Sequence, residues 1–305
     1  RHLNSLIARG YRNGLNFEYL QGRYGEQDVI TAVASVEYTR KLDAANDIAV
    51  RINYAGREGA VAGAASDEQV SGGTGLQLVG EWTHVFSDRW QATVNAGVAN
   101  KYFPQLMANL RVQRSWEHEW ETEAHVGFRR IDSYKKTFQW NSDVYDEATG
   151  QYGLWGFAGW QNDRMTLLNL GVGASRTLGD FWVNAKLDGY QMSNKLYVNL
   201  LAQAKYFVLG DGKSCIQALA SVGSAPEATM IDYAMPGTFN HLNTQVGLGG
   251  QYRIHRNVKL GILGMWSTYS TQTNSRRGTE VSYTDYITTR YKNLFNVDAQ
   301  ILISF

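Results

Sequence analysis

The segment "SWEHEWETEAHVGFRR" (115–130) alternates residue by residue once past its charged turn at Glu117, His118 and Glu119. Thr122, Ala124, Val126 and Phe128 share one side, while Glu121, Glu123, His125 and Arg129 share the other. A period of two marks an extended strand between two different environments. The pattern recurs in "RWQATVNAGV", which sets Trp90, Ala92, Val94, Ala96 and Val98 against Gln91, Thr93 and Asn95. It recurs in "HLNTQVGLGGQYRI", with Leu242, Val246, Leu248, Tyr252 and Ile254 against Asn243, Gln245, Gln251 and Arg253. In "YVNLLAQAKY" it sets Val198, Leu200, Ala202 and Ala204 against Asn199, Gln203 and Lys205. About 14 such strands are predicted, starting near residues 13, 28, 47, 74, 90, 105, 119, 165, 181, 195, 213, 241, 258 and 285. A helical period is legible only in "RHLNSLIARG" at the start.

The connections sort by length. "LDAAND", "FSDRW", "WEHEW", "LGDFW", "LGDGK" and "IHRN" are short, and the longest are 57–73, 132–163, 226–240 and 272–284. "GRYGEQ", "ANKYFPQ" and "YQMSNK" are moderate. Counted back from the C-terminus, every long connection falls on the same side, as do Pro104, Pro226 and Pro236. A soluble sandwich has no reason to sort loops by parity, whereas outer-membrane barrels join strands by short periplasmic turns and long extracellular loops. The expected fold is therefore all-β: a transmembrane antiparallel up-and-down β-barrel of about 14 strands over residues 13–305. Residues 1–12 are expected as an N-terminal periplasmic segment, one reading of which is the end of a helical-repeat module.

On this reading the even side of 115–130 meets lipid and the odd side meets the lumen. Phe86, Trp90, Trp116 and Trp120 flank two short turns and are expected at the inner headgroup level as part of an aromatic girdle. The chain ends in "NLFNVDAQILISF", where Phe295, Val297, Ala299, Ile301, Ile303 and Phe305 alternate outward. This end resembles the terminal β-signal of bacterial outer-membrane proteins, which implies the barrel assembly machinery as a partner and Phe305 as part of the signal.

Composition agrees with many strands. Aromatic residues reach 12%, with 18 Tyr and 9 Trp, and there are 31 Gly against 3 Pro. No run of about 18 apolar residues offers a transmembrane helix. A net charge of +1 gives no electrostatic case for nucleic acid. Cys215 is the single cysteine, so neither an intrachain disulfide nor a Cys-rich metal site is open to this sequence.

The motifs "EHEWETEAHVGFRRID", "LNLGVGASRTLGDFWVNAKLDGY" and the glycine-bearing "SVGSAPE" resemble the YaiO-type outer-membrane β-barrel domain. The resemblance extends over about residues 13–305 and implies fold and an outer-membrane location in a Gram-negative bacterium more than an activity. More loosely, the chain is similar to repeat-plus-barrel exporters of exopolysaccharides or surface lipoproteins.

The polar residues predicted to line the lumen are mixed in sign: Glu37, Arg51, Glu81, Arg111, Glu123, His125, Arg129, Lys186, Asp188, Lys205, Arg253 and Asp298. One reading is a salt-bridged interior that satisfies buried charge; the other is a binding or conduction surface. A hairpin centred on His118 sets Arg111 opposite His125 and diagonal to Glu123. The six His show no HExxH and no metal spacing, and no serine is placed to complete a triad, so neither a cofactor nor catalysis is expected. Connection 132–163 is rich in aromatics and glycine, with Asp143, Asp146 and Glu147 near its middle. It reads as a saccharide- or protein-recognition loop, an inward plug or an extension of the wall.

The function expected is that of a non-enzymatic conduit, anchor or scaffold in export or assembly of a surface polysaccharide or protein. Its expected partners are membrane lipid and a periplasmic or surface protein. The alternative is an outer-membrane enzyme that modifies lipid or lipopolysaccharide, with His125 and Glu123 as its polar cluster.

Overall fold

A computed structural model describes residues 7–8, 10–25, 29–58, 73–100, 103–147, 149–192, 194–226, 228–232, 239, 242–277 and 280–305. Alternation becomes one closed antiparallel barrel of 14 strands in sequence order, sealed by β1 against β14. The strands are β1 (Asn13–Tyr24), β2 (Val29–Lys41), β3 (Asn46–Glu58), β4 (Gly73–Val85), β5 (Trp90–Ala99), β6 (Leu106–Ser115) and β7 (Trp120–Asp146). There follow β8 (Gln151–Leu178), β9 (Phe181–Met192), β10 (Lys195–Tyr206), β11 (Cys215–Gly223), β12 (Asn243–His255), β13 (Val258–Arg277) and β14 (Glu280–Ser304). Closure pairs Gly14 with Ser304 and Tyr24 with Leu294, so within the barrel wall each strand has a neighbour on both sides.

Turns 42–45, 86–89, 116–119, 179–180, 207–214 and 256–257 all lie at the end that also holds the start of β1 and the end of β14. By the rule that orders such barrels, this end is periplasmic. In the turn after β6, His118 and Glu119 both take φ of 60°, the left-handed pair that matches the twist of a tight hairpin.

Among the described residues most large apolar side chains of the strands turn outward and remain exposed, apart from those that pack inward at the two ends. Leu248 is 71% exposed and Val246 50%, while Gln245 between Thr244 and Val246 is buried. Such a surface suits hydrocarbon, since a water-soluble protein would hide it.

Two predicted connections are corrected. Residues 132–163 and 272–284 are largely strand: β7 and β8 run for 27 and 28 residues, β13 and β14 for 20 and 25. The ladder between β7 and β8 continues from Trp120↔Arg176 to Asp146↔Gln151. Predicted strand starts at 165 and 285 are accordingly 151 and 280, while the other twelve fall within two residues of the observed ones. The reason is the solvent. A strand needs only about 10 residues to cross the bilayer, and beyond it water bathes both faces. Backbone pairing goes on there although the apolar alternation that reveals it stops. The segment is thus a hairpin of two paired strands and not an irregular loop.

The barrel interior is filled at its extracellular end by a different segment. Between β11 and β12 the chain turns inward and forms α1 (Ala228–Asp232). Met230 is only 2% exposed and packs with Leu20, Tyr24, Val33, Phe103, Tyr269 and Leu294 of the wall and the β5–β6 connection. Ile231 and Phe239 join a second cluster with Leu167, Tyr190, Tyr197 and Ala225. Phe239 meets the Tyr197 ring at 4.9 Å and the Tyr190 ring at 6.2 Å. At the periplasmic end Trp182, Phe207 and Cys215 make a smaller apolar contact. The helical expectation for "RHLNSLIARG" lies mostly outside the described residues; Ile7 and Ala8 are buried, and the Ala8 N–H donates to Ser304 Oγ at 2.9 Å.

Candidate functional site

The inner wall gathers charged side chains into two groups between these apolar ends. On β1 to β4, Arg51 lies 2.5 Å from Glu18 and 3.8 Å from Glu37 and donates from Nε to Asn53 Oδ1 at 2.8 Å. Asn53 passes the chain on to Gln77, also at 2.8 Å. Glu81 shares this face, and Asp298 on β14 accepts from Gln300 at 3.2 Å. A cavity of about 330 Å³ opens here, walled by Glu37, Arg51, Asn53, Gln77 and Glu81 and roofed by Ala228 and Asp232 of α1.

The second group spans β6 to β9. Arg111 stands opposite His125, as the hairpin centred on His118 predicts. Glu123 Oε1 receives Lys186 Nζ at 2.6 Å, and Gln113 donates to its other oxygen at 3.3 Å. His125 Nε2 lies 2.8 Å from Asp188 Oδ1. Both pairs reach across β8, where the register sets Gly173 between Glu123 and Lys186, and Gly171 between His125 and Asp188. A Cβ at Gly171 would overlap the His125 ring and the Asp188 carboxylate; one at Gly173 would come within 3.0 Å of Glu123 Cγ and 3.1 Å of Lys186 Cγ. The glycines remove the intervening side chains, so strands two apart interact directly.

Arg129 ties the wall to α1. Its Nε donates to Asp232 Oδ1 at 2.7 Å and its Nη1 to Asn169 Oδ1 at 2.7 Å. Burial of this guanidinium is tolerable because it is paired and hydrogen-bonded on both sides. At the periplasmic end Arg253 reaches Asp211 at 3.4 Å, and Lys205 lies 5.0 Å from the centre of the Trp182 ring.

All twelve residues predicted for the lumen thus lie on the inner face. The structure brings them into two paired groups, a latch and a periplasmic pair, and not into a ring of one sign. Three charged members escaped the sequence reading: Glu18, Asp232, and Asp211 in the turn between β10 and β11, where no alternation acts. Glu18 was legible in principle, since Asn16, Glu18 and Leu20 alternate against Phe17 and Tyr19. Asp232 carried no signal, because a five-residue helix shows no period. The carboxylate that pairs with His125 is Asp188, while Glu123 pairs with Lys186. Among the described residues, no group of three His, Cys, Asp or Glu is arranged to hold a metal ion.

Phe86, Trp90, Trp116 and Trp120 sit at the periplasmic rim, exposed on the outward surface. Phe305 ends the chain beside Asn13, with mutual backbone hydrogen bonds of 2.9 Å.

Comparison with curated proteins finds no match to this sequence. Among solved structures the barrel is similar to the Pseudomonas putida toluene transporter TodX, at 8% identity and TM-score 0.50, over 97% of this chain and 89% of that one. The TodX deltaS2S3 mutant monoaromatic hydrocarbon channel matches at 8% identity and TM-score 0.54, over 97% and 91%. OmpT of Vibrio cholerae matches at 11% identity and TM-score 0.48, over 96% and 97%. At such identities the likeness is one of fold. The protein is an outer-membrane β-barrel, and its residues 12–153 match the model of the YaiO membrane beta barrel domain.

Proposed function

We propose that the protein is a non-catalytic outer-membrane barrel, stoppered at rest, that anchors the export or assembly of a polysaccharide or protein at the cell surface. The observation that carries the resting closure is α1, held in the extracellular mouth by the Arg129–Asp232 pair and by Met230 in its apolar seat. A barrel of this strand number would otherwise be wide enough to hold water. The mixed, internally paired charges below α1 suit a structural interior better than a selective conduit. Above the mouth, the β7–β8 hairpin presents exposed Trp140, Tyr145 and Tyr152 beside Asp143, a combination of flat rings and acceptors suited to a saccharide. Its partner is expected on the periplasmic turns around Asp88, Glu117 and Asp180.

Planar-bilayer recording tests the stopper. The intact barrel should be silent, and excision of 226–241 should give stable conductance steps; large steady steps from the intact protein would sink the reading. Cross-linking from Cys placed at Asp88 or Asp180 tests the partner, which should be captured from envelopes and lost with the surface polymer. The alternative, a lipid-modifying enzyme, draws on the His125–Asp188 pair, where a carboxylate orients an imidazole as in a general base. That imidazole faces the lumen and not the outer leaflet. His125→Ala and Glu123→Ala should therefore leave the envelope lipid mass profile unchanged; an altered lipid A in either would reinstate the enzyme.

A further inference from the structure

The lipid-facing side of the periplasmic rim carries two arginines set against indole rings. Arg114 stands opposite Trp90 in the β5–β6 register, and its guanidinium carbon lies 3.6 Å from the centre of the Trp116 ring and 5.0 Å from that of Trp90. Arg176 stands opposite Trp120 in the β7–β8 register, 5.2 Å from its ring centre. Both belong to the outward set: Arg114 follows Leu106, Ala108, Leu110 and Val112, and Arg176 follows Leu168, Leu170, Val172 and Ala174. Trp116 is itself fixed, its indole N–H donating to Thr122 Oγ1 at 2.8 Å.

Neither arginine has an ion pair among the described residues, and the Nε of each is buried without a hydrogen-bond partner. That contrasts with Arg51, Arg129 and Arg253, each of which meets a carboxylate in the lumen. A guanidinium on the hydrocarbon side of an aromatic girdle stands at headgroup depth, where the anion available to it is a lipid phosphate. Stacking on indole holds the planar fork and leaves its terminal Nη groups for the oxygens of a phosphate. We propose that Arg114 and Arg176, with Trp90, Trp116 and Trp120, form a binding site for the phosphate groups of inner-leaflet phospholipid. The two guanidinia flank β7, which suits a lipid with two phosphates or two adjacent lipids.

Native mass spectrometry of the folded barrel, titrated with cardiolipin, phosphatidylglycerol and diacylglycerol, tests this. The wild type should retain the two phosphate-bearing lipids and not diacylglycerol. Arg114→Gln with Arg176→Gln should weaken retention by about tenfold or more, the loss of one or more charge-assisted hydrogen bonds. Arg40→Gln is the control, since Arg40 is exposed on the outward side of the same rim with no Trp in its ladder pairs. It should leave retention unchanged. Should the double variant fail to give a folded, heat-modifiable band, the two single variants carry the comparison. Undiminished retention in folded variants, equal retention of diacylglycerol, or an equal loss with Arg40→Gln would each overturn the site.

Discussion

His125 on β7 and Asp188 on β9 meet at 2.8 Å across the strand that separates them, and the residue of that strand at the crossing is Gly171. The pair exists because one side chain is missing. Gly171→Ala is expected to force the imidazole and carboxylate apart and to destabilise the barrel by about 1–3 kcal/mol, the usual range for overpacking a filled interior. Gly173→Ala should cost less, because its neighbours are the flexible Cγ atoms of Glu123 and Lys186. Urea unfolding in lipid vesicles ranks the two, and a milder effect at Gly171 would contradict the crossing.

Lipid exposure predicts a depth-dependent cost for charge. Arg at Ala124, Val246 or Leu248, all exposed on the outer face, should destabilise by about 2–4 kcal/mol if the site is near mid-bilayer. Arg at Gln251 should be far better tolerated, since that residue faces the lumen and is only half-buried. Gln245 also faces the lumen, but it is 3% exposed and bonded to Met265 Sδ, so it leaves no room for the larger side chain. Equal losses at Val246 and Gln251 would reverse the assignment of faces.

The turn between β10 and β11 should respond to acid. Desolvation pushes the Asp211 carboxyl up, but the N–H groups of Ser214 and Lys213, the Ser214 hydroxyl and the Arg253 guanidinium outweigh it and hold its pKa below the usual aspartate value. A depressed folded-state pKa adds stability that is fully present above the unfolded value of about 4 and is lost as pH falls through the folded one. Unfolding followed from pH 6 downward should therefore show a steeper loss in the wild type than in Asp211→Asn. Parallel curves would show that the turn does not contribute.

Orientation is open to labelling on intact cells. With Cys215 replaced by Ser, Cys at Asp146 or Asn274, both on extended hairpins, should react with an impermeant maleimide. Cys at Asp88, His118 or Asn257 in the turns should react only once the outer membrane is breached. Gly237, in the same connection as α1, lies outside the described residues and makes a less direct probe. Equal reaction of both sets on intact cells would invert or abolish the proposed topology.

The sequence by itself determined the barrel. Each strand crosses between lipid and lumen, and both solvents write their preference onto alternate side chains, so strand number, faces and twelve inner-wall residues were legible from a period of two. It also contained Gly171 and Gly173 of "GVGAS", but not which side chains would meet over them. What only the tertiary structure decided lies where no such gradient acts. The hairpins of β7–β8 and β13–β14 outgrow the bilayer and read as loops, because water on both faces erases the alternation. The stopper came from α1 and Phe239, between β11 and β12, and not from 132–163, because a five-residue helix has no period and Met230 gains its seat from wall residues as distant in sequence as Leu20 and Leu294. His125 with Asp188, Glu123 with Lys186 and Arg129 with Asp232 are likewise matters of register and closure. Each joins residues on different strands or on α1, brought together only when the sheet curls shut and buried charge must find its opposite.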